Sequence, residues 1–497
     1  MNLTIGEIAG AAGGEVHISA GDTEKKVSCV VIDSRIVSEG GVFIAAPGEK
    51  TDGHKYIEGV LEKKASLIIC EKNPEEVEKE YGLPSSKWGS YIVVEDAYEA
   101  LRNIASTYRD KLAIPVVGIT GSVGKTSTKE FIAGTLSAKY NVLKTEGNYN
   151  NTIGVPLTIL KVREEHTAAV IEMGISEFGE MTVLTGIAKP DIAVITNIGE
   201  CHLENLGDRD GVLKAKTEIF KSLSPKGKAV LYAGDDKLRT VTLDGERSVH
   251  FFGFDPAVVG ELDEADEVKR DVSISAIIKE DISGSDIKLR LPGGADAEVH
   301  VPMPGRHMMI NAAAAATVGC LLGLSRDEIR DGIGSVTEAA GRNRFVKTDK
   351  LTILDDCYNA NPASMRSSID LLMKTEGGHV LILGDMFELG ADTAKLHAGV
   401  GEYAAASGAD IIIFIGDLSA NAYRACEERF SKQSMAVSDK VSSSPSGRIT
   451  EHYKTKGDFL GVLANKKDAL LPNGSSVLVK ASHGMHFEEI VEALKAL

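Results

Sequence analysis

Short apolar runs that end in polar or glycine residues recur along most of the chain. Four of these runs cover 114–119, 168–171, 192–195 and 229–232. A second series covers 351–354, 380–383, 411–415 and 477–479. Runs of this length, separated by stretches with helical spacing, are typical of buried strands in a parallel sheet. The pattern therefore predicts two consecutive α/β units, each with polar strand ends gathered at the sheet edge where ligands bind.

The remaining segments complete the predicted architecture. Residues 1–111 alternate short apolar runs with glycine-rich turns and a helical stretch at Ala97–Arg109, as in a small α/β domain. Residues 245–303 alternate between apolar and polar positions and predict an antiparallel β extension, whereas the Ala-rich stretch Asn311–Leu324 predicts a buried helix. We predict an α/β protein of three consecutive α/β domains, with a P-loop ATPase-like parallel sheet in the centre and a Rossmann-like C-terminal domain. The predicted domain bounds are 1–111, 112–335 and 336–497.

Composition narrows the class of protein. A chain of 497 residues is too long for one ordinary core, and 43% hydrophobic with 26% charged residues is typical of globular proteins. The net charge of −17 argues against nucleic acid as the main partner, because phosphate backbones require a basic face. The six cysteines are scattered, which indicates neither a disulfide framework nor a zinc knuckle. The first residues lack signal-peptide features and no apolar run approaches a membrane span, so we expect a cytoplasmic protein.

The segment Gly118–Ser127 carries the strongest chemical signal. An apolar run beginning at Ile114 ends in a glycine-spaced turn, and Lys125 opens a stretch with helical spacing. A strand, a glycine turn and a helix N-terminus form a cradle whose backbone N–H groups bind phosphate. In this cradle the lysine reaches the outer phosphates and the hydroxyl of Thr126 ligates Mg²⁺. We therefore predict an ATP or GTP site, formed by Gly121, Ser122, Val123, Gly124, Lys125, Thr126 and Ser127.

Polar residues near other predicted strand ends are further candidates. Glu172 follows a strand directly, where a carboxylate can hold Mg²⁺; the alternative is a solvated glutamate. His202 is either a ligand or a hydrogen-bonding loop residue. Lys216 lies in a helical stretch, and composition alone favours a surface lysine. The polar segment Asp355–Pro362 predicts a shaped loop, because the proline restricts the residue before it.

Several polar clusters leave two interpretations open. Asp33–Arg35 and Thr51–His54 are too polar for core, yet each alone is more often a turn than a site. Arg342, at the predicted joint, either contacts a phosphoryl group or forms an ordinary salt bridge. Asn465–Asp468 resembles the guanine-reading motif of P-loop GTPases, although it lies far along the chain from Lys125.

Taken together, the motifs resemble those of the Mur ligases, which add amino acids to a UDP-N-acetylmuramoyl acceptor in peptidoglycan precursor synthesis. The shared signatures are Gly118–Thr126, Glu172–Gly174, Thr196–Glu204, Asn311-Ala312 and Gly341-Arg342. The strict phosphate-loop pattern has glycine five residues before Gly124, where this chain has Ile119; its glycines lie at 118 and 121 instead, and this spacing is the usual form in this family. Within the family, Asp355–Met365 and Gly384–Gly390 with His397 resemble the members that add D-alanyl-D-alanine to UDP-N-acetylmuramoyl-tripeptide.

The resemblance implies a role for each matching position. The ATP phosphates would be held by the phosphate loop, with Arg342 on the γ-phosphate, Asn311 on adenine and Asp356 on the ribose. Mg²⁺ would be held by Thr126, Glu172 and His202, and by Lys216 if it is carbamylated. The implied catalytic residues are Lys125, Glu172, His202, Lys216 and Arg342. The implied substrate-binding residues are Asp33, Ser34, Arg35, Asp52, Gly53, His54, Asn150, Asn151, Tyr358, Asn359 and Asn361.

Two positions depart from the family pattern. His483 stands where the family often has arginine, which weakens a permanent charge and leaves the dipeptide contacts there open. Met308 stands where the family has asparagine, which removes one possible polar contact near Asn311.

The resemblance implies an ATP- and Mg²⁺-dependent ligase that works through an acyl phosphate. Its small-molecule substrates would be UDP-N-acetylmuramoyl-tripeptide and D-alanyl-D-alanine, and we expect a monomer without a membrane span. The third residue of the tripeptide can be lysine or diaminopimelate. The alternatives are a related amide ligase such as folylpolyglutamate synthase, and a nucleotide switch based on Asn465–Asp468.

Overall fold

The first of three sheets lies in the N-terminal part of the chain. The computed structural model describes residues 1–48, 51–259, 268–337, 344–437 and 448–497. The strands of the first sheet are β1 (Glu15–His17), β2 (Val30–Val31), β3 (Val42–Ala45), β4 (Leu67–Cys70) and β5 (Tyr91–Val93). Its helices are α1 (Ile5–Ala12), α2 (Ile57–Glu62), α3 (Pro74–Tyr81) and α4 (Ala97–Asp110). The strand order is β1-β5-β4-β3-β2, parallel except for the pair β1–β5.

The central sheet has nine strands among the described residues. They are β6 (Val116–Thr120), β7 (Val142–Lys144), β8 (Ala168–Glu172), β9 (Ile192–Ile195), β10 (Lys228–Tyr232), β11 (Ser248–Phe254), β12 (Val272–Asp281), β13 (Gly284–Arg290) and β14 (Asp296–Val301). The helices are α5 (Lys125–Ser137), α6 (Gly154–Ile159), α7 (Glu180–Ala188), α8 (Leu203–Leu206), α9 (Arg209–Thr217), α10 (Pro256–Val259), α11 (Arg306–Leu321) and α12 (Arg326–Gly334). The order β14-β13-β12-β11-β10-β9-β6-β8-β7 places β6 between β8 and β9.

The predicted antiparallel extension is confirmed only in part. β12, β13 and β14 pair in antiparallel fashion, as the alternating pattern indicates. β11, which falls in the same predicted segment, instead pairs in parallel with both β10 and β12. The prediction was wrong for β11, because a pattern of apolar and polar positions does not determine strand direction, and β11 extends the parallel part of the sheet beside β10. The Ala-rich segment forms the buried helix α11, as predicted.

The third sheet occupies the C-terminal part of the chain. Its strands are β15 (Arg344–Lys347), β16 (Thr352–Asp355), β17 (His379–Gly384), β18 (Ile411–Ile415), β19 (Ile449–Tyr453) and β20 (Ser476–Lys480). Its helices are α13 (Pro362–Leu372), α14 (Thr393–Ser407), α15 (Ala420–Val437), α16 (Lys456–Leu470) and α17 (Glu488–Lys495). The order is β15-β16-β20-β17-β18-β19, parallel except for β15–β16. The predicted fold of three consecutive α/β units is confirmed.

Helix α4 joins the first sheet to the central one. Asp96 caps its N-terminus by accepting hydrogen bonds from the backbone N–H groups of residues 98 and 99. Its apolar face belongs to one continuous core that also includes Ile69 of β4 and Ala169 of β8. Near its end, the Tyr108 hydroxyl donates to the carbonyl of Val162 at 2.7 Å. The predicted boundary at 111/112 therefore follows a helix that packs on both sides, and both domain boundaries stay predictions.

Parallel pairing brings the polar strand ends together, as the sequence predicts. In the central sheet, Ile119 of β6 lies opposite Glu172 of β8, so the phosphate loop and the carboxylate share one edge. In the third sheet, Asp355 lies opposite Val479, which places Asp356 beside Lys480. In the part of the chain that the structure describes, no helix is long and apolar enough to span a membrane.

Candidate active site between the second and third domains

The phosphate loop runs from β6 to α5 and requires glycine at two positions. Gly121 has φ 150°, and a Cβ atom there would lie 1.9 Å from the Thr196 hydroxyl oxygen. Gly124 caps α5 in the left-handed conformation, at φ 81°. These two conformations let the chain turn tightly into the helix, whose first backbone N–H groups then face the cradle.

The segment after β9 holds the loop in shape. The backbone N–H of Val123 donates to Oδ1 of Asn197 at 3.0 Å, and the Thr196 hydroxyl donates to the carbonyl of Val123 at 2.6 Å. The N–H of Gly199 donates to the Ser122 hydroxyl at 2.8 Å. The motif at 196–199 therefore acts on the phosphate loop through hydrogen bonds, a role that its sequence alone did not indicate.

Lys125 spans the mouth of the cradle. Its ammonium group donates to the carbonyl of Gly121 at 3.0 Å, across the turn of the loop. The side chain is half-buried and lines the cleft, so its charge lies where phosphate oxygens would bind. Helix dipole and ammonium thus create a positive site in a chain that is strongly acidic overall.

Glu172 and Thr126 form the oxygen pair expected of a magnesium site. The Thr126 hydroxyl donates to Oε2 of Glu172 at 2.8 Å, and Nδ2 of Asn150 donates to Oε1 at 2.9 Å. Glu172 is only 2% exposed. Mg²⁺ prefers oxygen ligands and usually keeps waters and phosphate oxygens, so this donor pair fits the ion. Within the described ranges, no three His, Cys, Asp or Glu side chains converge as a metal cluster.

The side chain of His202 contacts a carboxylate of the third domain. Its Nδ1 lies 2.7 Å from Oε2 of Glu388, and this contact lowers the pKa of the Glu388 carboxyl. Both residues have left-handed backbones, with φ 52° at His202 and φ 62° at Glu388. Such strained conformations in non-glycine residues cluster at functional sites. His202 lines the cleft, and its role as a metal ligand stays a prediction.

Lys216 is buried, contrary to its interpretation as a surface lysine. It is 1% exposed on α9, and burial, followed by the charge of Lys125, lowers its pKa to about 8 despite the opposing influence of Cys201. No carboxylate lies within ion-pair distance of its ammonium among the described residues. Composition misled here because it does not reveal which face of an amphipathic helix is turned inward.

The carboxyl edge of the third sheet contributes a buried ion pair. The ammonium group of Lys480 donates to Oδ2 of Asp356 and, at 3.0 Å, to the carbonyl of Asn359. The Ser368 hydroxyl donates to the same Asp356 oxygen at 2.6 Å. Lys480 is 2% exposed and Asp356 is 6% exposed, so the pair fixes the loop that follows β16. At the rim, the rings of Tyr358 and His483 lie 5.3 Å apart between centroids.

Helix α11 completes the site from the central domain. The Thr128 hydroxyl donates to Oδ1 of the buried Asn311 at 2.9 Å. One turn earlier, Nδ1 of His307 lies 3.2 Å from the Ser367 hydroxyl of α13, across the seam between domains. Burial lowers the pKa of His307 to about 4, so its imidazole is neutral at pH 7. Asn311 therefore lies beside the phosphate-loop helix, and its contact with adenine stays a prediction.

One cleft of about 560 Å³ brings these groups together. Most predicted residues of the central and third domains line it: Ser122, Val123, Gly124, Lys125, Thr126, Ser127, Asn150, Asn151, Glu172, His202, Asn311, Asp356, Tyr358, Asn359 and Asn361. Residues in the lining that were not predicted as site residues are Gly174, Ile175, Ser176, Glu180, Thr196, Asn197, Tyr232, His307, Ile310, Ala363, Ser364, Ser367, Ser368 and Lys480. The partners of His307 and Lys480 are Ser367 and Asp356, which lie 60 and 124 residues away in the sequence, so the local pattern does not indicate these two residues. Arg342 lies outside the described residues.

Two predicted asparagines accept backbone hydrogen bonds near the start of a helix. Oδ1 of Asn361 accepts from the N–H of Ser364 and caps α13, which starts with Pro362. Oδ1 of Asn151 accepts from the N–H of Gly154 at 2.8 Å, in the turn that leads into α6. These contacts leave less of each amide for a ligand. Their predicted substrate contacts remain untested.

The predicted UDP-binding residues of the first domain lie outside this cleft. Asp33 and Arg35 form an exposed ion pair at 2.8 Å, next to Ser34. The loop Asp52–His54 is instead a closed network: the two side chains contact each other, and Nε2 of His54 accepts from the N–H groups of residues 71 and 72. A Cβ at Gly53 would lie 2.7 Å from the carbonyl of Ala46. The loop is therefore shaped by internal contacts, and its substrate role stays a prediction.

Family models for Mur ligases match most of the chain. The model of the Mur ligase family catalytic domain matches residues 26–124, and that of the Mur ligase middle domain matches residues 119–319. The model of the Mur ligase glutamate ligase domain matches residues 341–483.

Individual relatives resemble the chain over nearly its full length. The UDP-N-acetylmuramoyl-tripeptide–D-alanyl-D-alanine ligase of Bacillus subtilis is 33% identical, covering 94% of this chain and 92% of that protein. The crystal structure of MurF from Acinetobacter baumannii has a TM-score of 0.82 at 28% identity, covering 99% of both chains. MurF ligase from Thermotoga maritima in complex with ADP has a TM-score of 0.75 at 26% identity, covering 94% of this chain and 97% of that one.

A more distant structure shares the fold alone. Folylpolyglutamate synthase of Mycobacterium tuberculosis has a TM-score of 0.59 at 17% identity, covering 79% of this chain and 94% of that one. The match to the Bacillus subtilis protein covers 94% of this chain. The family models cover the phosphate loop, Glu172 and the loop at Asp356, the segments that form the cleft. The chain belongs to the Mur ligase family.

Proposed function

We propose that the chain ligates D-alanyl-D-alanine to UDP-N-acetylmuramoyl-tripeptide with ATP, in peptidoglycan precursor synthesis. One observation carries the proposal: the phosphate loop with Thr126 and Glu172 shares a cleft with the Asp356–Tyr358 loop of the third domain. The relative in Bacillus subtilis bears the name of this ligase, and the match covers 92% of its length. The MurF structure from Thermotoga maritima holds ADP, which supports ATP as the nucleotide.

The proposed reaction has two steps. The terminal carboxylate of the tripeptide attacks the γ-phosphorus of ATP; an O–P bond forms, the bond to the ADP oxygen breaks, and an acyl phosphate results. The neutral amine of D-alanyl-D-alanine then attacks the acyl carbon. A C–N bond forms, inorganic phosphate leaves with the electron pair of the C–O bond, and the nitrogen loses a proton.

Positioning and charge stabilisation supply the catalysis in this proposal. Lys125 and the N–H groups of the loop would bind the phosphates, because charge develops on their oxygens during transfer. Asn311 would contact adenine and Asp356 the ribose, as the resemblance implies. Arg342 would reach the γ-phosphate, although it lies outside the described residues.

The residues present fit a magnesium ion. Thr126 and Glu172 would hold it, with His202 and a carbamylated Lys216 as further candidates. Mg²⁺ supplies charge neutralisation at the transferring phosphoryl group. The depressed pKa of Lys216 supports carbamylation, since the neutral amine is the form that reacts with carbon dioxide.

The location of the substrates remains part of the proposal. UDP-N-acetylmuramoyl-tripeptide would extend from the first domain toward the cleft, with its uridine end near Asp33–Arg35. The dipeptide would enter beside Tyr358 and His483. Because the site is divided between domains, closure would assemble it and exclude water. Cytoplasmic location and a monomeric state stay predictions.

Neither alternative function matches the cleft as well. Folylpolyglutamate synthase shares the fold at 17% identity. A likeness at that level of identity does not indicate a shared substrate. Asn465–Asp468, the feature that indicated a GTP switch, lies within helix α16 of the third domain rather than beside the phosphate loop. A guanine-reading segment is expected on the same sheet as its phosphate loop.

An ADP-release assay tests the proposal directly. The purified protein is incubated with ATP, Mg²⁺, UDP-N-acetylmuramoyl-tripeptide and D-alanyl-D-alanine, and the peptide product is measured by mass. We expect ADP release only when both acceptor substrates are present, with one amide formed per ADP. Parallel reactions with glutamate and a folate, and with GTP alone, test the two alternatives. Turnover in either parallel reaction, without the muramoyl substrate, would contradict the proposed function.

A further inference from the structure

A second lysine of the phosphate-loop helix is buried beside the magnesium pair. Lys129 lies one helical turn after Lys125 and three residues after Thr126, so it shares the face of α5 that carries the Thr126 hydroxyl. It is 2% exposed, and its ammonium lies 4.0 Å from Oε2 of Glu172. A buried ammonium lowers the stability of the folded protein unless it is paired, so the contacts of Lys129 indicate why it is retained here.

The contacts of Lys129 connect three segments of the site. Its ammonium donates to the carbonyl of Thr145 at 2.7 Å, just after β7. The hydroxyl of the same Thr145, which is fully buried, accepts from the backbone N–H of Glu172 at 2.9 Å. Thr145 thus binds α5 through its carbonyl and the end of β8 through its hydroxyl. Lys129 thereby fixes both the position of the Glu172 backbone and the charge near its carboxylate.

A neighbouring carboxylate offsets part of the charge of Lys129. Oε1 of Glu130 lies 3.1 Å from the ammonium, and Lys144 contacts the other oxygen of Glu130. Burial raises the pKa of Glu130, but its contacts with Lys144 and Lys129 outweigh this and lower it. Because two ammonium groups share this carboxylate, Lys129 keeps part of its positive charge beside Glu172. The hydrogen bonds through Thr145 are the contacts by which Lys129 orients the Glu172 backbone.

We propose that Lys129 is a positioning residue that holds Glu172 in the orientation required to bind the divalent cation of the nucleotide complex. The inference rests on the metal site of the proposed function. It adds a residue that touches neither nucleotide nor metal and acts through Thr145 and Glu172. Residues that orient metal ligands in this way typically change metal affinity by about 10- to 100-fold when they are replaced.

The test measures Mn²⁺ binding to the full chain with ADP, by the electron paramagnetic resonance signal of free Mn²⁺. Lys129→Met removes the donor and the charge, whereas Lys129→Gln keeps a donor for the Thr145 carbonyl. The matched control is Lys139→Met, because Lys139 also donates to a carbonyl, that of Gly323 at 2.7 Å, but contacts no carboxylate of the site. We expect Mn²⁺ binding about 10-fold or more weaker in Lys129→Met, partial recovery in Lys129→Gln and wild-type binding in the control.

Two further readouts separate positioning from a general structural role. ADP binding without divalent cation should stay within about 2-fold of wild type in Lys129→Met, and excess Mg²⁺ should restore kcat in the ligase assay. Mn²⁺ binding within 2-fold of wild type in both Lys129 variants would overturn the proposal. So would equal losses of ADP binding with and without metal. If the wild-type chain binds Mn²⁺-ADP but forms no amide, the proposed function fails while the inference about Lys129 stands.

Discussion

Asp52 in the first domain and Glu172 in the central domain are both carboxylates in polar loops beside a sheet, yet their surroundings differ. Asp52 accepts from the ammonium of Lys72 at 3.0 Å and from the hydroxyl of Tyr81 at 2.8 Å, as well as from His54. All of these partners belong to the first domain. Glu172 accepts from Thr126 and Asn150, two residues that line the cleft. One carboxylate completes a closed network and the other faces a site.

The difference shows what separates a structural polar cluster from a functional one. In the closed network, both nitrogens of His54 are used within its own domain. In the central domain, the ammonium of Lys125 contacts a carbonyl of the phosphate loop, and Lys216, whose pKa the charge of Lys125 helps to lower, is buried without an ion pair among the described residues. Polar groups that are satisfied internally contribute stability, whereas incompletely paired buried charges cost stability and persist where a reaction uses them.

The largest expected effect follows from replacing Lys125. Lys125→Ala should lower kcat/KM for ATP about 10³-fold or more, which corresponds to about 4 kcal/mol, because the phosphoryl charge loses its cation. Among the described residues its side chain makes one hydrogen bond, to a loop carbonyl, so we expect little change in the free energy of unfolding. ADP release with both acceptor substrates and urea unfolding measure the two quantities. Full ADP release in this variant would contradict the proposed mechanism.

Lys216 tests whether a buried ammonium near the phosphate loop, unpaired among the described residues, lowers the stability of the folded protein. The ammonium is disfavoured in the folded protein, where its pKa is about 8, relative to about 10.4 when unfolded. The folded protein therefore carries a penalty of about 3 kcal/mol below pH 8, which disappears as the pH rises above 10.4. Lys216→Met should remove this penalty.

The expected result for Lys216→Met is a more stable protein at pH 7 with much lower ligase activity. Urea unfolding in buffers free of carbon dioxide, at pH 7 and pH 10.5, measures the gain and its loss. Lys214→Met, a change of an exposed lysine on the same helix, is the control and should leave stability nearly unchanged. A Lys216→Met protein that is less stable than wild type at pH 7 would show that the buried ammonium has a stabilising partner.

Asp52 tests the closed network. Asp52→Asn should lower the unfolding free energy by about 2 kcal/mol, because the amide cannot accept all the bonds that the carboxylate accepts. Its contacts with His54, Lys72 and Tyr81 lower the pKa of Asp52 despite burial. The contribution of Asp52 to the free energy of unfolding is therefore present above its pKa in the unfolded chain, near 3.9. It is lost as the pH falls below that value.

Activity separates the two roles of this loop. If Asp52 is structural only, ligase activity per folded molecule should stay near wild type in Asp52→Asn. Asp33→Asn, which removes one partner of an exposed ion pair, should leave stability almost unchanged. A large rise in KM for the UDP substrate in Asp52→Asn, at unchanged stability, would instead support the predicted substrate contact.

Particular residues show how far the sequence predicts this molecule. The glycine turn and the strand ends at Glu172 and Asp356 could be predicted, because parallel pairing places strand ends at one edge. The pairs His307–Ser367 and Lys480–Asp356 could not, since each joins segments that are far apart in the sequence. Burial of Lys216 also depends on tertiary packing. Local pattern identifies the elements of the site but not which of their polar groups are already used.

The smallest expected effect concerns the contact between His202 and Glu388. The Glu388 side chain is 60% exposed, so Glu388→Gln should change the unfolding free energy by less than about 1 kcal/mol. The contact joins the second and third domains, so its loss should lower kcat by about 2- to 5-fold through less frequent closure. Steady-state kinetics at saturating Mg²⁺ measures this change. An unchanged kcat would show that the contact between His202 and Glu388 is structural, like the contact between Asp52 and His54. A loss of kcat above about 100-fold would indicate that Glu388 belongs to the reacting site itself.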